Sequence, residues 1–120
     1  SRETAKGSRM LQGLKAEGVA APVVLWALSR EIRALASMAY EVEQGSSADQ
    51  VMGAHRVWEK RKPLLRRGLQ RRSTHWRQLL TICGQADRAI KGLSPDDPWM
   101  LLEKLALAMS GVTPFSVGEY

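Results

Sequence analysis

Nine basic side chains fall between positions 56 and 77: Arg56, Lys60, Arg61, Lys62, Arg66, Arg67, Arg71, Arg72 and Arg77, with Glu59 as the one acid among them. That segment carries +8, whereas the whole chain is +6, so the remainder is slightly acidic. Clustered Lys and Arg are the electrostatic footprint of a phosphate-backbone contact, because each neutralised phosphate releases counterions. A solvated face, or one that meets an acidic partner subunit, has the same composition, and charge alone does not separate the readings. With roughly 100° between residues, a helix over residues 59–72 gathers Lys60, Arg67 and Arg71 on one side and places Trp58, Leu65 and Leu69 on the other. On that face Trp58 reads first as a core anchor. Arg56 and Arg61 beside it keep open a second reading, a rim indole on which an unpaired base stacks.

The remaining reactive residue types do not assemble into a site. His55 and His75 are far apart, and Cys83 has no second cysteine, so the usual zinc spacings are missing and no metal or cofactor is expected. His55 would end a short helix, where an imidazole can meet terminal carbonyls. His75 reads as a partly exposed surface residue. Cys83 lies in an apolar stripe that would raise its pKa, so it reads as an inert core thiol of a reducing compartment. The Asp96-Asp97 pair stands just ahead of a helix, where acids cap and meet the helix dipole. Lys6-Gly7-Ser8 lacks the upstream glycine and the preceding strand of a phosphate loop. These residues offer no catalytic constellation.

Helical periodicity dominates the segments that must position the basic cluster, and strand-like alternation is scarce. A first helix over residues 2–17 places Met10, Leu11 and Leu14 on one side and stops at Gly18. A second starts with Pro22 in its first turn, repeats Leu25, Leu28, Ile32, Leu35 and Ala39, turns Arg30, Glu31 and Arg33 to its other faces, and ends near Gly45 before a Ser46-Ser47 cap. A short helix with Val51 and Met52 follows over residues 47–55. After the basic helix, Ser73 or Thr74 caps a fifth, with Trp76, Leu79, Leu80, Cys83, Ala86 and Ile90 as its stripe, and Gly84 inside it marks a close helix contact or a weak spot. Gly92 ends it. A sixth helix starts at Pro98, with Met100 or Leu101, Leu102, Leu105 and Met109 apolar, and Gly111 and Pro114 release a short tail. The expectation is an all-α, compact bundle of about six helices.

With 120 residues, 44% hydrophobic and 25% charged, the composition is that of one soluble globular domain over residues 1–120. The chain opens without a methionine in what already reads as a helix, so it reads as a piece of a longer protein. The most apolar run, residues 19–28, contains Pro22 and falls short of the roughly twenty residues of a membrane span. The cytoplasm is the expected compartment. The aliphatic stripes exceed what one central seam requires, and part of them is expected to face partner subunits.

His55-Arg56-Val57-Trp58 followed by the basic run, together with Leu14-Lys15-Ala16-Glu17-Gly18, the Leu25 to Leu35 stripe around Ser29-Arg30-Glu31, Arg88-Ala89-Ile90-Lys91-Gly92, and the Trp99 to Met109 helix, resembles the C-terminal domain of the delta subunit of bacterial DNA polymerase III. The likeness covers about residues 9–109. It implies a helical collar domain that joins delta to the other clamp-loader subunits, gamma/tau and delta prime, in a ring. It also implies that the sliding clamp is gripped only by an N-terminal region absent from this chain, that no functioning ATP site is present, and that Trp58 is a plausible base-stacking residue. A companion aromatic that precedes the last helix in relatives is replaced here by Leu93-Ser94. On this basis the candidate DNA contacts are Trp58, Lys60, Arg61, Arg67 and Arg71. The alternative is a stand-alone basic helical DNA-binding module.

Overall fold

In the computed structural model, which describes residues 2–112 with side chains from residue 7 onward, the described chain is helical and contains no strand. The elements are α1 (Arg2–Ala16), α2 (Ala21–Glu43), α3 (Ala48–Ala54), a 3₁₀ turn (Glu59–Arg61), α4 (Lys62–Gly68), α5 (Ser73–Ile90) and α6 (Pro98–Ala108). The all-α bundle expected from periodicity is what forms, within principal extents of 42 × 26 × 26 Å. Pro114 and the tail lie outside the described residues.

α2 is the spine. Its predicted stripe of Leu25, Leu28, Ile32, Leu35 and Ala39 is fully buried, joined by Val24, Ala27 and Met38, because apolar residues repeating at three and four positions form one face of a helix. That face packs mainly against α5, which contributes Trp76, Leu79, Cys83 and Ala86. α6 closes the bundle against α5, α1 and α2 with Leu102, Leu105 and Met109. Of the two candidates at the start of its stripe, Leu101 packs against the core and Met100 is exposed. α1 is tied to α6 through Leu11, through a bond from Ser8 Oγ to Glu103 Oε1 at 3.0 Å, and through Lys15 Nζ over the Trp99 ring.

The helix ends follow local chemistry. Gly18, Gly45 and Gly92 take the left-handed conformation that stops a helix without a Cβ clash, and Gly111 has positive φ two residues past the cap of α6. Ser47 forms a reciprocal capping box with Gln50 at the start of α3, and Asp97 accepts the Trp99 backbone N–H at the start of α6. At α5 the expected self-cap is absent. Ser73 instead gives both its backbone N–H and its hydroxyl to the Glu43 carboxylate, at 3.0 and 2.7 Å, so the last turn of α2 caps the first turn of α5 from across the bundle.

Two glycines change the expected packing. Gly84 has open space where its Cβ would be and marks no close contact. The close approach is at Gly68, where a Cβ would stand 2.7 Å from Val112 Cγ1 and 2.9 Å from Leu35 Cδ2. The Gly68 carbonyl also accepts the buried Trp76 indole N–H at 3.1 Å.

Most of the aliphatic ridges are buried inside the bundle, although Leu14, Leu80, Ile90 and Leu101 are only partly covered. The large apolar residues left outside lie off the ridges: Val23, Trp26 and Tyr40 on α2, Trp58, Leu93 and Met100.

Candidate nucleic-acid interface

The expected continuous basic helix over residues 59–72 does not form. α3 ends first, at His55, and the chain reverses through a Schellman motif: the Arg56 N–H donates to the Gly53 carbonyl at 3.1 Å and the Val57 N–H to the Met52 carbonyl at 3.0 Å. Arg56 occupies the left-handed position of this motif, with φ of 56°. Val57 turns inward onto the core, and Trp58 follows with extended backbone ahead of the 3₁₀ turn. Only from Lys62 does an α-helix run, with Pro63 in its first turn, and it ends at Gly68.

This break decides the position of Trp58. A shared face with Leu65 and Leu69 requires one helix through all three, and Trp58 is outside it. Leu65 and Leu69 are buried, whereas Trp58 is 76% exposed. The core-anchor reading is therefore corrected: the indole stands in solvent.

A second correction concerns Glu31, expected on an outer face of α2. It is buried at 6% exposure. The segment after α3 folds over this shoulder of α2, and Arg61 Nη2 donates to Glu31 Oε2 at 2.6 Å. A buried carboxylate without such a partner would be costly, so this pair fixes the 3₁₀ turn against α2. His55 makes a parallel tie, its Nε2 lying 2.6 Å from Glu41 Oε2 on α2, and it meets this carboxylate rather than the terminal carbonyls expected of it.

Between α2 and this segment lies an open groove of about 510 Å³ whose lining includes Arg30, Glu31, His55, Arg56, Trp58 and Arg61. Of the five residues singled out from the sequence, Trp58 and Arg61 line it. Lys60 is exposed on the 3₁₀ turn, Arg67 on α4, and Arg71 in the turn after α4; these three are outside the lining. The basic segment is also partly neutralised in place: Lys62 pairs with Glu59 and Arg66 with Asp49, both at 2.6 Å, and Arg72 lies 3.6 Å from Glu43. Asp49 is held below the usual carboxylate range chiefly by its bond to Arg66 and by that residue's charge.

Sequence reasoning missed Glu31 and the groove it floors. The signal was its place beside Ile32 and one turn after Leu28, on the shoulder of the stripe. Arg56 gave no comparable signal, since a glycine is the usual mark of the conformation it adopts.

The other reactive groups remain apart. Burial pushes the Cys83 thiol up, away from the reactive thiolate. His75 is half-buried with its ring edge-on to Trp76, and burial, then the Arg71 charge, lowers its pKa. Among the described residues no three or more His, Cys, Asp and Glu side chains converge on a metal position, and no helix is long and apolar enough to cross a membrane.

What the arrangement can do is hold an exposed indole among guanidinium groups, on a base pinned by an ion pair. That suits stacking of a base with nearby phosphate neutralisation. Residues 2–114 match the family model described as "Processivity clamp loader gamma complex DNA pol III C-term". No match is found among curated proteins or among solved structures.

Proposed function

Since the chain belongs to the family of C-terminal domains of the DNA polymerase III processivity clamp loader gamma complex, we propose that it is the collar domain of a delta-type subunit, joining that subunit to its gamma/tau and delta prime neighbours so that the sliding clamp is loaded on primed DNA. The observation that carries this reading is the extent of the family match, which takes in every helix described. The role is non-catalytic. It depends on shape and surface, with the clamp gripped by a region of the subunit beyond this chain. A cytoplasmic place goes with it.

The exposed apolar residues support the assembly role. Val23 and Trp26 stand one turn apart on α2, 44% and 53% exposed, and such side chains on a folded domain suit burial against a neighbour. Within the ring, Trp58 would stack an unpaired base of the primed DNA while Lys60, Arg67 and Arg71 neutralise backbone phosphate. Arg61, committed to Glu31, would act as the strut behind Trp58 rather than as a contact.

Deleting this domain from the full-length subunit tests the assembly role. Reconstitution with the other loader subunits is expected to leave the truncated subunit outside the complex. Its normal incorporation would end the proposal.

The basic segment favours a second reading, a stand-alone DNA-binding module. That reading requires the isolated chain to bind primed or single-stranded DNA with an affinity that falls with salt and with charge reversal at Lys60, Arg67 and Arg71. The collar reading expects weak binding by the chain alone and stronger binding in the assembled loader.

A further inference from the structure

We propose that Arg56 is a phosphate-contacting residue that works with Trp58, held in a backbone conformation that glycine would adopt at lower cost. The inference rests on the DNA-stacking reading of Trp58 given above and adds to it a residue outside the original set of candidates.

The protein supplies its own control. Five described residues have positive φ, and four of them are glycines: Gly18, Gly45 and Gly92 directly after helices closed as α3 is, and Gly111 beyond α6. Arg56 is the one non-glycine residue among them, at φ of 56°. The task of this position in the fold is carried by the backbone: the Arg56 and Val57 N–H groups close the end of α3, and Val57 then packs inward. A glycine performs that task without the Cβ clash of the left-handed region. The arginine side chain is therefore present against a local preference, and the inference runs from this outlier to a use for the side chain.

The surroundings indicate the use. The Arg56 side chain is exposed and has no hydrogen-bond or ion-pair partner among the described residues, unlike Arg61, Arg66 and Arg72. Arg56 and Trp58 flank the inward-turned Val57, and both line the groove against α2. The carboxylate in that groove, Glu31, is already met by Arg61, which limits its repulsion of an anion. An exposed indole and an uncommitted guanidinium, two residues apart, match the two chemical ends of one nucleotide in an unpaired strand. The base stacks on the ring, and the phosphodiester takes the paired N–H donors of the guanidinium.

The test is salt-dependent binding of a fluorescein-labelled primer–template junction with a single-stranded overhang by the reconstituted loader. R56A is expected to weaken binding roughly tenfold and to reduce the slope of log K against log salt by about 0.7 to 0.9, the loss of one phosphate contact. R56K should keep the slope. R56G should bind as weakly as R56A while the subunit melts at a higher temperature, which separates loss of contact from loss of fold. If R56A and R56G bind with wild-type affinity and slope while W58A still weakens binding, the inference is overturned and the stacking reading stands. If W58A also binds as wild type, both are overturned.

Discussion

Arg61 on the 3₁₀ turn and Glu31 in the middle of α2 are joined at 2.6 Å, with the carboxylate side chain only 8% exposed and the guanidinium side chain 32% exposed. The pair couples the segment that presents Trp58 to the spine of the bundle. Removing Arg61 withdraws a close countercharge from a buried carboxylate, which is costlier than replacing both members of the pair. R61M is expected to destabilise the chain by about 2 kcal/mol, below the value for a fully buried pair because the arginine is partly solvated. E31M/R61M should recover most of that loss. Urea denaturation midpoints of the two variants check this, and equal losses would show that the pair does not act as a unit.

Arg56 gives a prediction of opposite sign. A left-handed non-glycine residue costs on the order of 1 kcal/mol, and glycine relieves it. R56G should therefore stabilise the fold by a fraction of that amount, because the greater freedom of glycine in the unfolded chain offsets part of it. Thermal melts of the two chains read this, and a lower melting temperature for R56G would mean that the arginine side chain supports the fold.

Most of the fold was legible in the sequence, and the limits of that legibility have a physical reason. The α2 stripe and the glycine stops were visible because a 3.6-residue period and a missing Cβ leave marks in the residue types themselves. The site was half legible. The charge and Trp58 stood out, but the placement of Trp58 depends on Arg56 adopting a backbone state normally marked by glycine, and a 3₁₀ turn and a short α-helix form where the periodicity over residues 59–72 predicts one helix. Glu31 was misplaced for a related reason. Its burial is imposed by the segment that folds over it thirty residues later, and no local period records that.

Trp58 and Trp76 separate surface from core. Trp76 is 1% exposed with its indole N–H bonded to Gly68, whereas Trp58 is 76% exposed. W76A should cost about 3–5 kcal/mol. W58A should change stability by no more than about 0.5 kcal/mol. Chemical denaturation of both variants checks the contrast, and a large loss for W58A would return that residue to the core.

Acid sensitivity follows from the cap across the bundle. The Ser73 hydroxyl first, then its backbone N–H, hold the Glu43 carboxyl below its ordinary value of 4.5, with Arg72 and Arg77 adding to this against the opposing effect of burial. A depressed carboxyl binds its proton less readily in the folded than in the unfolded chain. The stabilisation is thus present above about pH 4.5 and is lost as pH falls through the lower folded value. S73A removes the leading donor and should make the acid limb of stability shallower. An unchanged pH profile would contradict this assignment.

On the proposed function the surface of the domain is divided: the α2 residues Val23 and Trp26 would meet neighbouring subunits, while Trp58 and its basic surroundings would meet DNA. Sedimentation velocity of the reconstituted loader with a labelled primed junction reads both at once. V23D/W26D is expected to leave the subunit folded but outside the loader-sized species, and W58A to enter that species in full yet carry markedly less DNA. Wild-type incorporation of V23D/W26D, or failure of W58A to incorporate, would contradict this division.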